Sequence, residues 1–396
     1  MPIEEVREAA GSWDLTLLPE TPRSVLRGIG WNSYIVVMLT GRPAAEEATV
    51  ETLLAESDYT GYLQDKELNT GSRGEHIIRG NGLAQLLGDD DFAGQVMLVH
   101  KRERDRTIGY YLNNYVFPTN GITLGENQAL SATRNYRIER GADRLTVLND
   151  VCDIFNAHWR ITHAATARVG RGPWLWRGWD TDPKVIITDY FAEEFIDPVD
   201  EMTVINARRI GSRESSRRLR THVYVKSLSE PSAAARYALP DVPTFKTLSG
   251  GNLVSTQYIP HDRVENSTVA AWVCLKKAER FDHTHIELDV SVSGYGWLSK
   301  VTPGDKIWVY SPDADIYSND NHVYIAGVDA HPRKVAVMAK RWPLPPDATV
   351  VHINSDSGRT ITDLTPWIDR DAESIGVTLE LGDLKREAPL RTPRYR

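Results

Sequence analysis

The residues of this chain best suited to chemistry lie between 282 and 289. His283 and His285 form an H-x-H pair, and strand alternation puts Glu287 and Asp289 on the histidines' face, with Asp282 beside them. Such a set can hold a metal ion, or pair a histidine with a carboxylate for hydrolysis. The competing reading is a solvated strand face, and it is preferred because no second cluster at ligand spacing follows. Asp89, Asp90 and Asp91 lack the alternating oxygen ligands and closing Glu of a calcium loop, so they read as a charged loop after a helix. Gly80-Asn81-Gly82 precedes a helix, but without either glycine pattern of a phosphate cradle; a tight strand-to-helix turn accounts for it. There is no G-x-S-x-G elbow. Cys152 and Cys274, the two cysteines, sit on apolar helical stripes where thiols are inert. The reading is therefore a non-enzyme with no catalytic residue, no metal ligand and no cofactor.

Two other features look like contact surfaces. Arg208, Arg209, Arg213, Arg217, Arg218 and Arg220 are opposed locally only by Glu214, while Glu193, Glu194, Asp197, Asp200 and Glu201 immediately precede them. Opposite patches of this kind can set the register of a subunit boundary, or meet within one chain, or stay solvated. Nucleic acid ranks lower, because few stacking aromatics accompany the arginines. In the second feature, Gly172 to Trp179, Trp174 and Trp176 share a strand face and Trp179 follows. Sugar platforms and protein hot spots both use such aromatics, and a covered sheet face explains them equally well.

These residues need elements to position them. Trp13 to Leu18 and Ser33 to Leu39 read as strands, the second nearly continuous in apolar residues and so buried on both faces. Residues 44–55 read as a helix lying on the sheet, 75–80 as a strand entering a one-turn helix, and Gln95 to Val99 as another strand. Leu148, Val151, Cys152 and Phe155 repeat at i, i+3, i+4, i+7 and predict a core-facing helix that Asn156-Ala157 ends, before a strand alternating Trp159 and Ile161 with polar residues. Residues 202–211 and 221–227 read as a strand pair joined by a charged hairpin. The segment 231–251, rich in Pro and Gly, reads as an arm that wraps over a neighbour. Ala271, Cys274, Leu275 and Ala278 form the stripe of a helix capped by Ser267 or Thr268, and His285 to Val292 alternates cleanly after it. The Thr302-Pro303-Gly304-Asp305 turn launches Lys306 to Tyr310, and Val323 to Val328 with Val335 to Met338 complete a small barrel.

Composition sets the outer limits. The 396 residues carry net charge −8, with 41% hydrophobic and 25% charged residues, which is globular composition and enough chain for two to three domains at roughly 100 to 200 residues each. The acidic balance argues against nucleic acid. Two cysteines make neither a disulfide framework nor a zinc site. Residues 1–11 carry Glu4, Glu5 and Glu8 with no apolar run, so a signal peptide is not expected, and no run approaches the ~18 apolar residues of a membrane span. Trp (11) outnumbers Phe (7), and Tyr reaches 16, which favours sheets and large contact surfaces over helical bundles.

The order of these elements resembles the tail-hub family of long-tailed phages, the tail-tip or baseplate hub proteins, often minor tail proteins of phages of actinobacteria. The resemblance is carried by VAAWVCLKKA, HIELDVSV and VTPGDKIWVY within Ser267 to Tyr310, and by GEHIIRGNGLAQLLG and LTVLNDVCDIFNAHWRIT; it covers most of residues 10–340. It implies a mainly β fold with α+β insertions: two β-barrel-like tube domains plus a peripheral helix-strand domain. The corresponding segments are 1–134, a peripheral 135–200, 201–345 with the arm, and a β-like tail 346–396. It also implies a homotrimer whose barrels form a pseudo-six-fold ring at the virion tail tip, assembled in the host cytoplasm. The implied partners are a tail-tube or distal-tail ring protein, the tape-measure protein and tail-tip or fibre proteins, around a channel for genome ejection. Trp174, Trp176, Trp179, Glu193, Glu194 and the six arginines are the candidate subunit or partner interface. The alternatives are a β-rich carbohydrate- or peptide-binding module using the tryptophans, and an adjacent distal-tail ring component.

Overall fold

The computed structural model describes residues 2–30, 33–39, 49–69, 74–88, 101–117, 121–127, 132–138, 141–170, 175–178, 183–189, 195–196, 202–215, 220–228, 230–239, 245–261, 264–278, 285–292, 294–314, 316, 324–325, 332–355, 359–370 and 377–382. Runs rich in β-branched and aromatic residues assemble into one thirteen-stranded sheet. Its strands are β1 (Pro2–Val6), β2 (Ser12–Leu17), β3 (Ser33–Met38), β4 (Tyr59–Glu67), β5 (His76–Gly82), β6 (Val185–Thr188), β7 (Thr203–Ser215), β8 (His285–Val292), β9 (Lys306–Tyr310), β10 (Arg333–Pro343), β11 (Thr349–Asn354), β12 (Thr360–Asp363) and β13 (Val377–Gly382). Their spatial order is β9-β6-β7-β8-β13-β10-β1-β2-β5-β4-β3-β11-β12.

The first six strands of that order close into a barrel, because β9 also pairs with β10. Closure removes the sheet edges that would otherwise be open to mispairing. Strand β6 runs parallel to both β7 and β9, and the other contacts around the barrel are antiparallel. From the barrel, β1 pairs with β10 on one side and β2 on the other, so this short strand joins the barrel to the rest of the sheet. The remaining strands curl back in the same way. Segment 364–369 hydrogen-bonds to β11 through Leu364 N–H and to β2 through the Leu17–Ile368 bridge, which brings this half close to a second barrel. One continuous apolar core fills both halves, with Leu15, Ile35, Val37 and Ile78 on one side and Ile187, Ile205, Val290, Val309, Val337 and Leu379 on the other.

Strand β3 is buried on both faces, as its apolar run predicts. Ile35 and Val37 face the shared core, while Val36 and Met38 pack with Leu53 of the short helix Val50–Ala55. Trp13 lies across the neighbouring strands, where a Cβ on Gly80 would come within 1.8 Å of the Tyr62 carbonyl and 2.7 Å of the Trp13 ring. A side chain at 80 would therefore push two strands and the indole apart.

Outside the sheet, helices α1 (Arg144–Phe155) and α2 (Ser267–Ala278) share a second core with three small sheets. Helix α1 is capped by Asp143, whose carboxylate accepts from Thr146 N–H at 2.6 Å, and it ends at Asn156 in the left-handed conformation, φ 51°. Its stripe of Leu148, Val151, Cys152 and Phe155 is buried as the spacing predicts. In α2, Ala271, Cys274 and Ala278 are buried. Its cap is Asn266, accepting from Val269 N–H at 2.9 Å, rather than Ser267 or Thr268. The fold is thus mainly β, with a closed six-stranded barrel, further strands and a few helices.

Several expectations are corrected. Strand β7 does not pair with 221–227; it continues through the charged segment to Ser215 against β8. Arg208, Arg209 and Arg213 are exposed there, and a strand tolerates charge on its solvated face. Strand His222–Ser227 instead turns Val223 and Val225 onto α2 and pairs with Ala234–Ala238 and Thr256–His261. Of the expected tail 346–396, the described strands belong to the main sheet, where β11 completes the β3 side and β13 sits between β8 and β10. Strand Tyr324–Ile325 pairs with Phe195–Ile196 outside the barrel. The expected strand at 95–99, the first part of the helix at 44–55 and the chain beyond 382 lie outside the described residues.

Candidate functional site

Of the three tryptophans proposed as a platform, Trp176 is described, and it is buried. The guanidinium carbons of Arg7 and Arg160 each lie 5.8 Å from its ring centroid. The Thr302–Asp305 turn slides beneath the ring because Gly304 adopts φ +101°; a Cβ there would stand 2.3 Å from Trp176 Cε3. Asp305 accepts from the Arg177 backbone N–H at 3.0 Å and pairs with the Arg177 side chain at 3.1 Å, fixing the segment from the far side. Trp176 is therefore interior packing rather than a binding surface. Trp174 and Trp179 lie outside the described residues.

Arg208 and Arg209 are both exposed because β7 carries a bulge between Ala207 and Arg209, which lets successive side chains leave the barrel. Arg209 lies opposite Ser291 and Arg213 opposite Glu287. One row along, Gly211, Asp289 and Glu380 align across β7, β8 and β13. The exposed Asp289 and Glu380 thus lie on the same outer face of the barrel as Arg209 and Arg213. Arg220 stands apart at the start of the outer sheet. Arg217, Arg218, Glu193 and Glu194 lie outside the described residues, as does His283. For His285 and Glu287 only the backbone is described. Among the described residues no group of three or more His, Cys, Asp or Glu is arranged to hold a metal ion, and no helix is long and apolar enough to cross a membrane.

The polar centre of the molecule lies elsewhere, in a cleft of about 260 Å³ where the two halves of the sheet meet the helical layer. Glu4 to Ala9, Tyr59, Arg160 to His163, Trp176 and Lys340 are among the residues that line it. Glu5 receives Lys340 Nζ at 2.8 Å and the Trp342 indole N–H at 3.0 Å, and His163 Nε2 lies 3.6 Å away. Lys340 also donates to the Leu298 and Val301 carbonyls, so its charge is fully engaged although buried. Burial by itself would raise the Glu5 pKa, but the Lys340 charge and the His163 contact outweigh it and bring it down to about 2. Glu8 follows the same logic. Burial opposes its ionisation, while His158, 2.9 Å away, and the charges of Lys276 and Arg7 pull its pKa well below the usual range. Beneath it, Lys276 and Lys277 both pair with Asp153, tying α2 to α1.

Sequence reasoning read Glu4, Glu5 and Glu8 only as polar N-terminal residues. Nothing near them marks burial, since the Glu5 partner is Lys340 and the Glu8 partner is His158. The arrangement is an electrostatic joint between parts of one chain.

No family model matches the sequence, and no curated protein matches it. Solved structures do resemble the fold. The tail protein from Neisseria meningitidis superposes with TM-score 0.50 at 12% identity, covering 94% of this chain and 96% of that one. The 43 kDa tail protein of prophage MuSo2 from Shewanella oneidensis gives TM-score 0.51 at 10% identity, covering 97% and 93%. Prophage tail protein gp18 from Listeria monocytogenes gives 0.51 at 10%, covering 98% and 88%. This chain therefore has, over nearly its whole length, the fold of phage and prophage tail proteins.

Proposed function

We propose that the chain is a structural phage tail protein, the trimeric hub that closes the distal end of the tail tube. The observation that carries the reading is the continuous sheet folded into a closed barrel and a second, nearly closed half within one subunit. Three copies would set six such units around an axis and so continue a six-fold tube with a three-fold hub. The likeness to tail proteins along the whole chain supports the tail assignment.

In this reading the hub sits at the virion tail tip after assembly in the host cytoplasm. It contacts the tail-tube or distal-tail ring protein, the tape-measure protein and tip or fibre proteins, and it surrounds the channel for genome ejection. Net charge −8 suits a wall that must release DNA, because anionic surfaces repel phosphates. The role is non-enzymatic, and the exposed arginines of β7 serve subunit or partner contacts. The binding-module alternative loses support because Trp176 is buried. The test is the rotational symmetry of the native assembly in electron-microscope class averages along its axis. Three copies around a channel are expected; six would reassign the chain to an adjacent ring, and a channel-free monomer would end the proposal.

A further inference from the structure

Seven large apolar side chains are exposed among the described residues, and five of them fall between 228 and 258: Leu228, Leu248, Leu253, Val254 and Tyr258. They lie on and beside one small sheet. Strand His222–Ser227 runs at its centre, antiparallel to Ala234–Ala238 and parallel to Thr256–His261. Its inner residues Val223 and Val225 are buried in the helical core. On the outer face Tyr224 lies opposite Arg236 on one side and Tyr258 on the other, and the two tyrosine rings stack at 5.7 Å. Among the described residues the hairpin formed by Phe245–Lys246 and Asn252–Leu253 pairs with no other strand, and Leu248 in its turn is fully exposed.

The face has a sign as well as an apolar surface. Lys226, Arg236 and Lys246 are opposed by Glu230 alone among the described residues 222–258, on a chain whose net charge is −8. At the end of the sheet where His222 pairs with Ala238 and Thr256, Tyr258 and the adjoining Leu253 and Val254 add apolar surface near Tyr224 and Arg236, the makings of a protein contact, while Leu228 lies at the other end beside His261. If two copies met patch to patch, cation would face cation, which disfavours a two-fold dimer. Against an acidic region elsewhere on the next copy, the charges complement. A contact between two different surfaces is head-to-tail and closes into a ring when the rotation allows.

We propose that the outer face of this sheet, with its 245–253 hairpin, is the surface by which one copy of the chain grips an acidic surface of the next. The proposal rests on the ring reading above and adds the element that makes the ring.

The test is native mass spectrometry and light scattering on the full chain, for the wild type, a Leu248→Asp/Val254→Asp variant and a Lys226→Glu/Arg236→Glu variant. The wild type is expected as a closed trimer that weakens with salt. Both variants are expected to keep the wild-type circular dichroism and to associate roughly 100-fold more weakly. If the first variant misfolds, the charge reversal decides. A trimeric wild type with two trimeric variants would overturn this assignment and leave the ring reading intact. A wild type that is monomeric or a two-fold dimer at every concentration would overturn both.

Discussion

Glu5 and Lys340 are separated by most of the chain, yet they pair at 2.8 Å in the interior, and the Lys340 charge is the chief influence holding Glu5 ionised against its burial. Removing one partner from a buried pair leaves an uncompensated charge, so Lys340→Met is expected to cost about 3 kcal/mol or more in urea unfolding. A double variant with Glu5→Leu is expected to recover much of that loss. The pair also sets an acid limit. Because the Glu5 pKa is about 2 in the fold against 4.5 for the free group, its stabilisation is complete above pH 4.5 and is lost as pH falls towards 2. Glu8 acts in the same direction. Glu5→Gln should therefore be less stable at neutral pH and lose stability less steeply across that window; parallel wild-type and variant curves would refute the assignment. Gly304 gives a second test. At φ +101° beneath Trp176, Gly304→Ala meets both backbone strain and an indole ring, and about 2 kcal/mol of destabilisation is expected from thermal melting. Of this, the sequence showed the turn at Gly304 but neither the buried pair nor what the turn covers. A glutamate at position 5 looks solvated until the fold brings a lysine from β10 to it, and Trp176 in a Gly/Pro-rich stretch looks like a platform until the turn at Gly304 covers it.

Elements were legible where their periodicity was complete. The stripe of α1 and the alternation of β8 correspond to buried faces because one row of side chains has one core to enter. The same stripes carry the thiols. Burial pushes Cys274 up to about 11 and raises Cys152 still further, so neither should react with maleimide at pH 8 until denaturant is added, when both should label. Losing the α2 cap by Asn266→Ala should cost about 1 kcal/mol, while Ser267→Ala should change little; equal effects would contradict the assigned cap. Partners were less legible than elements. Period-2 alternation says which face of β7 is wet but not which strand lies beside it, so adjacency in the chain pointed to residues 221–227 whereas space pairs β7 with β8. A strand's neighbour is chosen by long-range packing, which no local pattern encodes.

For the whole molecule, fold class was legible and boundaries were not. Barrel strands were expected to come from two contiguous stretches, but β11 and β13 leave the C-terminal part of the chain to complete both halves of the sheet. A chain truncated after Arg370 lacks the strand between β8 and β10, so it is expected to lose cooperative melting and to aggregate through its open edges. A truncation that retained a wild-type melting curve would refute the role given to β13. The position of β1 also bears on biosynthesis. Residues 2–6 leave the ribosome long before residues 339–343, with which they pair. The closed barrel waits longer still, for residues 377–382. Each nascent polypeptide must therefore hold the β10-facing edge of β1 unpaired until β10 has been made, although β2 can cover the other edge at once.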